Sequence, residues 1–348
     1  MIHAPLARLA TLALLTFPAF AFAQGALAPT GAPSTSMRTL EQVEPRRPLG
    51  LPGQTNTTLL EITAPGSYVL QGNLTVAAGD GIQIRADDVT LDLNGFTVLS
   101  AAPTAEGCGI RLGGTNSTAN RARVRNGRLF SPGYTAQYDG VVTFTGGGFA
   151  NALAPDHAGA CTGVQLEELF VTGCQQGLDA GPDSTVTDCS VRYLPGVGIR
   201  ATTVRECAVA DTGSTGIVAT TVWRSQSQPF SVDTAIIATT VSGSSGIAHD
   251  QIPTSGNGIE ATGTVTDSFG TAFAPLACGI KAADAIRCFG NGSSGDGTGI
   301  QVSNTARFCF ADGGPETAIV GPVLIACSHN YGSFPTTGTR YLMPGATP

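Results

Sequence analysis

The sequence predicts an all-β solenoid, and two recurring features carry that prediction. A small residue, an aliphatic residue, a variable residue and usually alanine recur about every 20 residues, beginning at Gly177, Gly198, Gly216, Ala235, Gly258, Gly279, Gly299 and Ala318. A second, small position recurs within the copies and is filled by Cys189, Cys207, Ser225, Ser244, Ser268, Cys288, Cys309 and Cys327. A repeat of this length is typical of stacked turns that bury one shared core.

Within each copy, short apolar runs predict strands rather than helices. Gly198-Ile199-Arg200-Ala201 alternates apolar residues with others, and Gly, Asp, Asn and Ser cluster between such runs. This is the pattern of half-buried strands bounded by turns. Because equivalent strands pair from one turn to the next, one aliphatic position should form a continuous buried ladder. We expect its members to include Ile199, Ile217, Ile236, Ile259, Ile280 and Ile300.

The stretch ITAPGSYVLQGNLTVAAGDGIQIRADDVTLDLNGFTV, from Ile62 to Val98, is similar to the opening of bacterial secreted β-helix repeat proteins. Together with the repeat, it resembles the pectin-lyase-like superfamily over roughly residues 57 to 330. The resemblance implies a single-stranded right-handed parallel β-helix of roughly 10 to 12 coils, each of about 20 residues. It implies little about activity, because that superfamily includes lyases, hydrolases, isomerases and non-catalytic surface proteins.

The ends of the chain differ in composition from the repeat. Residues 1–23 combine Arg8, an apolar run and Ala21-Phe22-Ala23, which predicts a secretory signal. We expect a flexible leader at 24–55, the β-helix with an N-terminal cap at 56–330, and a C-terminal cap or tail at 331–348. The mature protein is therefore expected in the periplasm or outside the cell, without a transmembrane segment. A net charge of −7 gives no basic footprint for nucleic acid.

The nine cysteines allow two interpretations. Five share the small repeat position with serine, which favours a stack of buried free thiols, since free Cys behaves as a small hydrophobe. The alternative is one or more disulfides between neighbouring coils. A coil spacing of about 4.8 Å lies within the disulfide range, but parallel Cβ vectors make the required dihedral unfavourable. We also expect Asn94 and Asn126 to occupy this small position in the early coils.

Other polar residues suggest alternatives to a purely structural role. Asp80, Asp87, Asp88 and Asp92 are compatible with Ca²⁺, but turn-forming aspartates and one outward strand residue are the favoured interpretation, and we expect no metal site and no cofactor. Residues 146–161, which contain His157, are expected to form the longest loop. Shorter excursions are expected at 226–233 and at 246–256, which contains His249.

Aligning the repeats identifies two outward stripes that carry candidate site residues. On one stripe, Asp188 and Glu206 lie on adjacent coils, and Arg224 follows on the next. Paired carboxylates suit glycoside hydrolysis, so we predict these three residues as catalytic. The alternatives are a site that binds a sugar without cleaving it and ordinary surface charge.

The remaining candidates are predicted to bind substrate. Trp223 is the only tryptophan and offers a flat apolar face for a sugar, while Asp179 and Arg200 form the other stripe. On that stripe, Glu260 and Lys281 are expected to form an ordinary ion pair across strands.

These residues predict an exported protein that binds or cleaves a polysaccharide or cell-surface glycan, as a polysaccharide lyase or glycoside hydrolase if it is catalytic. The alternative is a non-catalytic structural or adhesive protein. The resemblance would require catalytic motifs that the sequence lacks: Asp87-Asp88 is a lone counterpart of the polygalacturonase pair, and Gln301 rather than arginine follows Lys281 by one coil. The sequence therefore leaves open whether the protein is an enzyme.

Overall fold

The computed structural model describes residues 46–50, 59–132, 146–230, 234–249, 256–292, 297–312 and 318–330, and the backbone of 339–341. In these ranges every regular element is a strand. The strands stack in parallel as a β-solenoid of about 12 turns, with coils about 21 residues apart. The predicted all-β solenoid is therefore confirmed. The predicted signal at 1–23 and most of the predicted leader and C-terminal tail lie outside the described residues.

The strands form three faces, here named A, B and C in the order in which each coil follows them. Face A contains Leu60–Ile62, Ile82–Ile84, Cys108–Leu112, Asn151–Pro155, Gln176–Asp179, Ile236–Ala238, Ile259–Ala261 and Ile319–Val320. Face B contains Arg47–Leu49, Gly66–Leu70, Val89–Asp92, Thr185–Thr187, Thr240–Ser242, Thr264–Thr266, Val323–Ile325 and Thr339–Tyr341. Face C contains Leu74–Val76, Thr97–Ser100, Ser190–Leu194, Ala208–Thr212, Gln226–Gln228, Ser245–Ala248, Phe269–Ala272, Phe289–Gly292, Phe310–Asp312 and Ser328–His329.

Six longer strands continue from one face into the next. Faces A and B share Ile199–Arg205, Ile217–Trp223, Cys278–Ile286 and Thr298–Arg307. Faces B and C share Arg123–Phe130 and Gln165–Thr172. Each of these strands bends where the pairing passes from one face to the next, so residues of one strand can point in different directions.

The interior of face A is the aliphatic ladder that the repeat predicts. Strand pairing places these residues one above another: Leu60, Ile82, Ile110, Leu153, Leu178, Ile199, Ile217, Ile236, Ile259, Ile280, Ile300 and Ile319. All six predicted isoleucines are fully buried. Burying such a side chain contributes about 1.5–3 kcal/mol, so the ladder is a major source of stability.

The early coils differ from the expectation in two places. Within 146–161, predicted as the longest loop, Asn151–Pro155 is a face A strand, and its Leu153 is buried between Ile110 and Leu178. The Gly- and Ala-rich surroundings hide this strand, because only Leu153 shows the aliphatic position of the repeat. Within the predicted leader, Arg47–Leu49 pairs with Tyr68–Leu70 on face B. Gly140-Val141-Val142, whose sequence predicts the start of an early coil, lies outside the described residues.

The predicted excursions also contain strands. Gln226–Gln228 continues face C within 226–233, and Ser245–Ala248 enters the stretch 246–256. Each pairs with its neighbours in the stack, Gln226 with Ala208 on one side and Ser245 on the other. Part of each predicted excursion therefore belongs to the strand stack.

The corner between faces B and C is held by the small repeat position, here named the corner ladder. The backbone N–H groups of Cys207, Ser225 and Ser244 each donate to the hydroxyl of the ladder serine one coil further on, at 3.2 Å. The side chain of each ladder residue also donates to the carbonyl oxygen two residues before it, as Ser225 does to Trp223 at 3.0 Å and Cys207 to Arg205 at 3.0 Å. Serine and cysteine alternate here because both are small and both can donate.

The residue before the corner ladder adopts the left-handed conformation in every coil from Asn126 onward. These residues are Asn126, Glu168, Asp188, Glu206, Arg224, Gly243, Asp267, Arg287, Phe308 and Ala326, with φ between 46° and 59°. The prediction that Asn94 and Asn126 occupy the small position is wrong. Gly127 occupies it opposite Leu169, one residue after Asn126, and Asn94 is an exposed left-handed residue. Asparagine is among the few residues that tolerate this conformation, which explains its place one residue earlier.

All nine cysteines are buried and free, which confirms the stacked-thiol interpretation over disulfides. Burial raises the pKa of Cys174 to about 12 and that of Cys278 to about 11. The thiols of Cys288, Cys309 and Cys327 each donate to a carbonyl in the preceding coil, at 3.3 to 3.4 Å. Their role is to fill and tie the stack.

The interior of face C becomes smaller from Val191 to Gly290, and the buried Ala311 follows on the next coil. Its inward positions pass from Val191 and Val209 through Ser227 to Gly246, Gly270 and Gly290. A methyl group on Gly246, Gly270 or Gly290 would meet the backbone carbonyl of Gly258, Gly279 or Gly299. Faces A and C thus approach to backbone contact in these coils, and glycine is required because no side chain fits between them.

The corner ladder makes a prediction about Ser225. In Ser225→Ala the buried N–H of Cys207 loses its acceptor, so we expect the free energy of unfolding to fall by about 1–3 kcal/mol. Ser225→Cys retains a small donor and acceptor of the kind found at Cys207, and should lose less. Urea unfolding of the two variants measures the difference. Equal losses would show that side-chain size alone matters at this position.

The thiol stack predicts the reactivity of the cysteines. We expect a thiol reagent at pH 8 to label almost none of them in the native protein, because all are buried and most have a raised pKa. After unfolding without reductant, all nine should react. A titration that finds markedly fewer than nine thiols in the unfolded protein would establish disulfides instead.

Candidate functional site

The predicted catalytic residues lie at the corner between faces B and C. Asp188, Glu206 and Arg224 occupy successive coils, all three left-handed and exposed. Glu206 Oε1 is 3.8 Å from Arg224 Nη1, and the two side chains are 42% and 63% exposed. An ion pair this open contributes less than about 1 kcal/mol, since water screens it. The three residues are therefore brought together, but as a solvated row.

Trp223 lies on face B, immediately before this corner. Its indole ring centroid is 4.2 Å from the guanidinium carbon of Arg224 and 5.9 Å from that of Arg205, the residue paired with it one coil earlier. Cation–π contacts of this kind hold an exposed ring in place by about 0.5–1 kcal/mol. The ring is therefore oriented by its neighbours before any ligand arrives.

A groove of about 300 Å³ lies beside Trp223 on face B. We name it the tryptophan groove; its lining consists of Arg205, Thr221, Val222, Trp223, Thr240, Val241 and Ser242. The hydroxyls of Thr221 and Thr240 belong to neighbouring coils and are exposed. An apolar ring, hydroxyls and a guanidinium in one shallow groove are the groups that recognise a sugar.

Asp179 and Arg200 lie apart from this groove, on face A. They are paired in register, and Asp179 Oδ1 accepts a hydrogen bond from the N–H of Gly181 at 3.1 Å. With Gln176 they line a second groove of about 330 Å³. Arg200 and Arg205 share one strand and are at most about 16 Å apart at about 3.3 Å per residue, and the bend between faces A and B lies between them. The six predicted residues thus form two groups, which one sugar ring cannot contact together.

A third groove, of about 610 Å³, lies across the corner and onto face C. Phe269, Phe289 and Phe310 stack here on consecutive coils, with ring centroids 5.0 and 5.4 Å apart. The sequence analysis missed this stack, although a signal exists: phenylalanine directly follows the corner ladder at Ser268, Cys288 and Cys309. Its period equals the repeat, so an outward aromatic row was predictable.

Another cluster missed by the sequence analysis lies further along face C. His249 stacks on Phe273 with centroids 5.0 Å apart, and its Nε2 lies 2.9 Å from Gln228 Nε2. Burial lowers the pKa of His249 and raises the pKa of Asp211, which interacts with it electrostatically. The cluster favours a neutral imidazole, yet it belongs to a different face from the tryptophan groove.

The early aspartates are satisfied by protein donors rather than arranged around a cation. Asp88 forms a double ion pair with Arg121 at 2.7 and 2.8 Å, which lowers the pKa of Asp88. Asp87 accepts from Thr118 at 2.7 Å, and Asp80 holds Arg111 at 2.6 Å. Among the described residues no group of three or more His, Cys, Asp or Glu is placed to hold a metal ion.

The remaining predicted contacts are those of a surface. Lys281 Nζ lies 3.1 Å from Glu260 Oε1, which confirms the expected cross-strand ion pair. His157 follows the strand of residues 151–155 and lies 3.4 Å from the carboxylate of Asp156, half exposed.

The fold and the grooves define a class of protein: a parallel β-solenoid with ligand-sized grooves on its flanks. Comparison with protein-family models gives no match to this chain. A search among curated proteins finds no similar sequence either. In the part of the chain that is described, no helix has the length and apolar character to cross a bilayer.

The left-handed corner predicts the effect of substitution at Glu206. A residue with a Cβ atom is less stable than glycine in this conformation by about 1–2 kcal/mol. Glycine loses more backbone entropy on folding, which offsets about 0.5–1 kcal/mol of this difference. We therefore expect Glu206→Gly to raise the free energy of unfolding by up to about 1 kcal/mol. Glu206→Ala keeps the strain and is the matched control. Denaturant unfolding compares them, and a Glu206→Gly variant less stable than Glu206→Ala would contradict the expectation.

Proposed function

We propose that this protein is an exported β-helix of the pectin-lyase-like type that binds a polysaccharide along its flank. The observation that carries the proposal is the tryptophan groove. The indole of Trp223, contacted by the guanidiniums of Arg205 and Arg224, lies beside Thr221, Thr240 and Ser242 in the lining of this groove. This combination offers an apolar surface for the C–H face of a sugar and polar groups for its hydroxyls.

The repeat of the solenoid suits an extended chain. Thr203, Thr221 and Thr240 lie one above another on successive coils, about 4.8 Å apart. That spacing is comparable to the length of one sugar ring. A polysaccharide lying parallel to the solenoid axis would therefore meet an equivalent hydroxyl at each ring.

The charges near the groove favour an acidic sugar. Two guanidiniums, of Arg205 and Arg224, lie within 6 Å of the indole centroid, and Glu206 partly neutralises Arg224. Arginine recognises carboxylates through paired hydrogen bonds. We therefore expect uronate-containing chains to bind more tightly than neutral ones, in spite of the overall net charge of −7.

Binding without cleavage is the form of the proposal that the lining favours. Glycoside hydrolysis needs two carboxyl groups beside the scissile bond. The tryptophan groove is lined by Thr, Val, Ser, Trp and Arg, whereas the exposed carboxylates of Asp188 and Glu206 lie at the corner. The predicted catalytic role of these two residues is replaced in the proposal by a role in surface charge.

The proposal predicts that Trp223→Ala weakens binding of an oligouronate by about tenfold or more, since stacking on an aromatic ring contributes about 0.5–1.5 kcal/mol beyond its buried area. Calorimetric titration with oligogalacturonate and with an oligoglucose of equal length measures affinity and charge preference. Phe170→Ala removes an exposed ring from face C, outside the groove, and is the control.

Two results would overturn the proposal. One is a panel of acidic and neutral oligosaccharides in which the intact protein binds none. The other is binding that Trp223→Ala and Phe170→Ala reduce equally. A reducing-end assay on the same mixtures tests cleavage, and we expect no product.

A further inference from the structure

The phenylalanine stack on face C ends abruptly at Phe269. The rings of Phe269 and Phe289 are nearly parallel, 5.0 Å apart, and Phe310 continues the stack on the next coil. In the opposite direction, the residue paired with Phe269 is Ser245, and the residue beyond it is Gln226. One face of the Phe269 ring is therefore adjacent to Ser245, whose side chain is only a hydroxymethyl group.

The missing ring leaves a slot of definite width. Gln226 and Phe269 are two coils apart, which is about 10 Å at about 4.8 Å per coil. A ring placed over Ser245 would lie about 5 Å from Phe269, the spacing that already separates Phe269 from Phe289. One ring thus fits the slot as a continuation of the stack.

The floor of the slot is made of the smallest residues on this part of the corner. Gly243 occupies the left-handed position, with φ of 59°, where the neighbouring coils carry Arg224 and Asp267. Ser244 and Ser245 follow it, and all of these residues line the groove of about 610 Å³. The coil of residues 240–245 also forms part of the tryptophan groove, through Thr240 and Ser242. The two grooves therefore meet at the corner, on either side of Gly243.

The rim of the slot is polar and charged. Arg224 lines the slot and also contacts the indole of Trp223, so its guanidinium lies between the slot and the tryptophan groove. On the opposite side, Asp267 is held by Arg287 through two bonds of 2.6 and 2.7 Å, which lowers the pKa of Asp267 and keeps it ionised. An apolar wall with a polar rim suits a pyranose, whose C–H face stacks while its substituents hydrogen-bond.

We propose that this slot is a second sugar subsite, in which a pyranose ring stacks on Phe269 over Gly243 and Ser245. The inference rests on the proposed function and extends it. An acidic oligosaccharide that occupies the tryptophan groove with one residue leaves the axial row of face B there, crosses the corner at Gly243 and places another residue against Phe269. Arg224 lies between the two rings and binds the carboxylate of the connecting sugar.

The repeat supplies a sharp test, because serine borders the stack at both ends. Ser245 precedes Phe269, and Ser328 follows Phe310 in register. Ser245→Phe adds a fourth ring that fills the slot, and Ser328→Phe adds the same ring at the other end and leaves the slot open. Both additions extend an existing stack, so thermal unfolding should show both variants folded.

Calorimetric titration with oligogalacturonates of several lengths measures how much the slot contributes to affinity. We expect Ser245→Phe to lose about tenfold or more in affinity for chains long enough to span the corner, and Ser328→Phe to bind as the unaltered protein does. Phe269→Ala should behave like Ser245→Phe. For a single sugar or a dimer, which the tryptophan groove holds alone, Ser245→Phe should have little effect.

The outcomes separate this inference from the proposal beneath it. If Trp223→Ala abolishes binding while Ser245→Phe and Ser328→Phe bind long chains equally, the slot is not a subsite and the tryptophan groove stands alone. If the intact protein binds no oligouronate, both proposals fail. If Ser245→Phe blocks binding of an aromatic probe such as a nitrophenyl group but not of the glycan, the slot accepts a planar ring and the sugar assignment is wrong.

Discussion

The hydrogen bonds of the corner ladder are the contacts on which the rest of the structure depends. Each ties the main chain of one coil to the side chain of the next, at the point where face B turns into face C. From Cys189 to Cys327 this position holds only serine or cysteine, which are small and can donate, so the turn is closed in a similar way in successive coils. The residue before it is forced into the left-handed region, and its side chain is directed outward. Both grooves assigned to the glycan lie against this corner, so its geometry also sets their positions.

The sequence predicts the buried part of the solenoid better than its corners. Isoleucine after a small residue recurs with little variation, and face A follows from it directly. The left-handed row is different, because Asp188, Arg224 and Phe308 share no chemistry and only the backbone makes them equivalent. The strand of residues 151–155 was missed for a related reason, since one leucine in a Gly- and Ala-rich stretch does not establish a period.

The residues of the candidate site could be predicted only in part from the sequence. Charge and a single tryptophan pointed to Trp223 and Arg224, which the structure places together. The sequence also grouped Trp223 and Arg224 with Asp179 and Arg200. The structure places Asp179 and Arg200 on face A, and no residue type in the sequence marks the bend between the faces. The slot was missed because its signal is an absence of side chains at Gly243 and Ser245, and small residues in a repeat are read as turns.

The narrowing of the solenoid interior has a consequence for how such a chain can grow. A repeat of this kind suggests that turns are interchangeable units, free to be duplicated or exchanged by recombination. They are not interchangeable here, because Val191 needs an interior that a coil built around Gly270 does not offer, and a methyl group at Gly270 would meet the backbone of Gly279. A duplicated coil fits only beside coils whose interior has the same width. Each part of the solenoid can therefore be lengthened only by coils whose face C interior matches that of its neighbours.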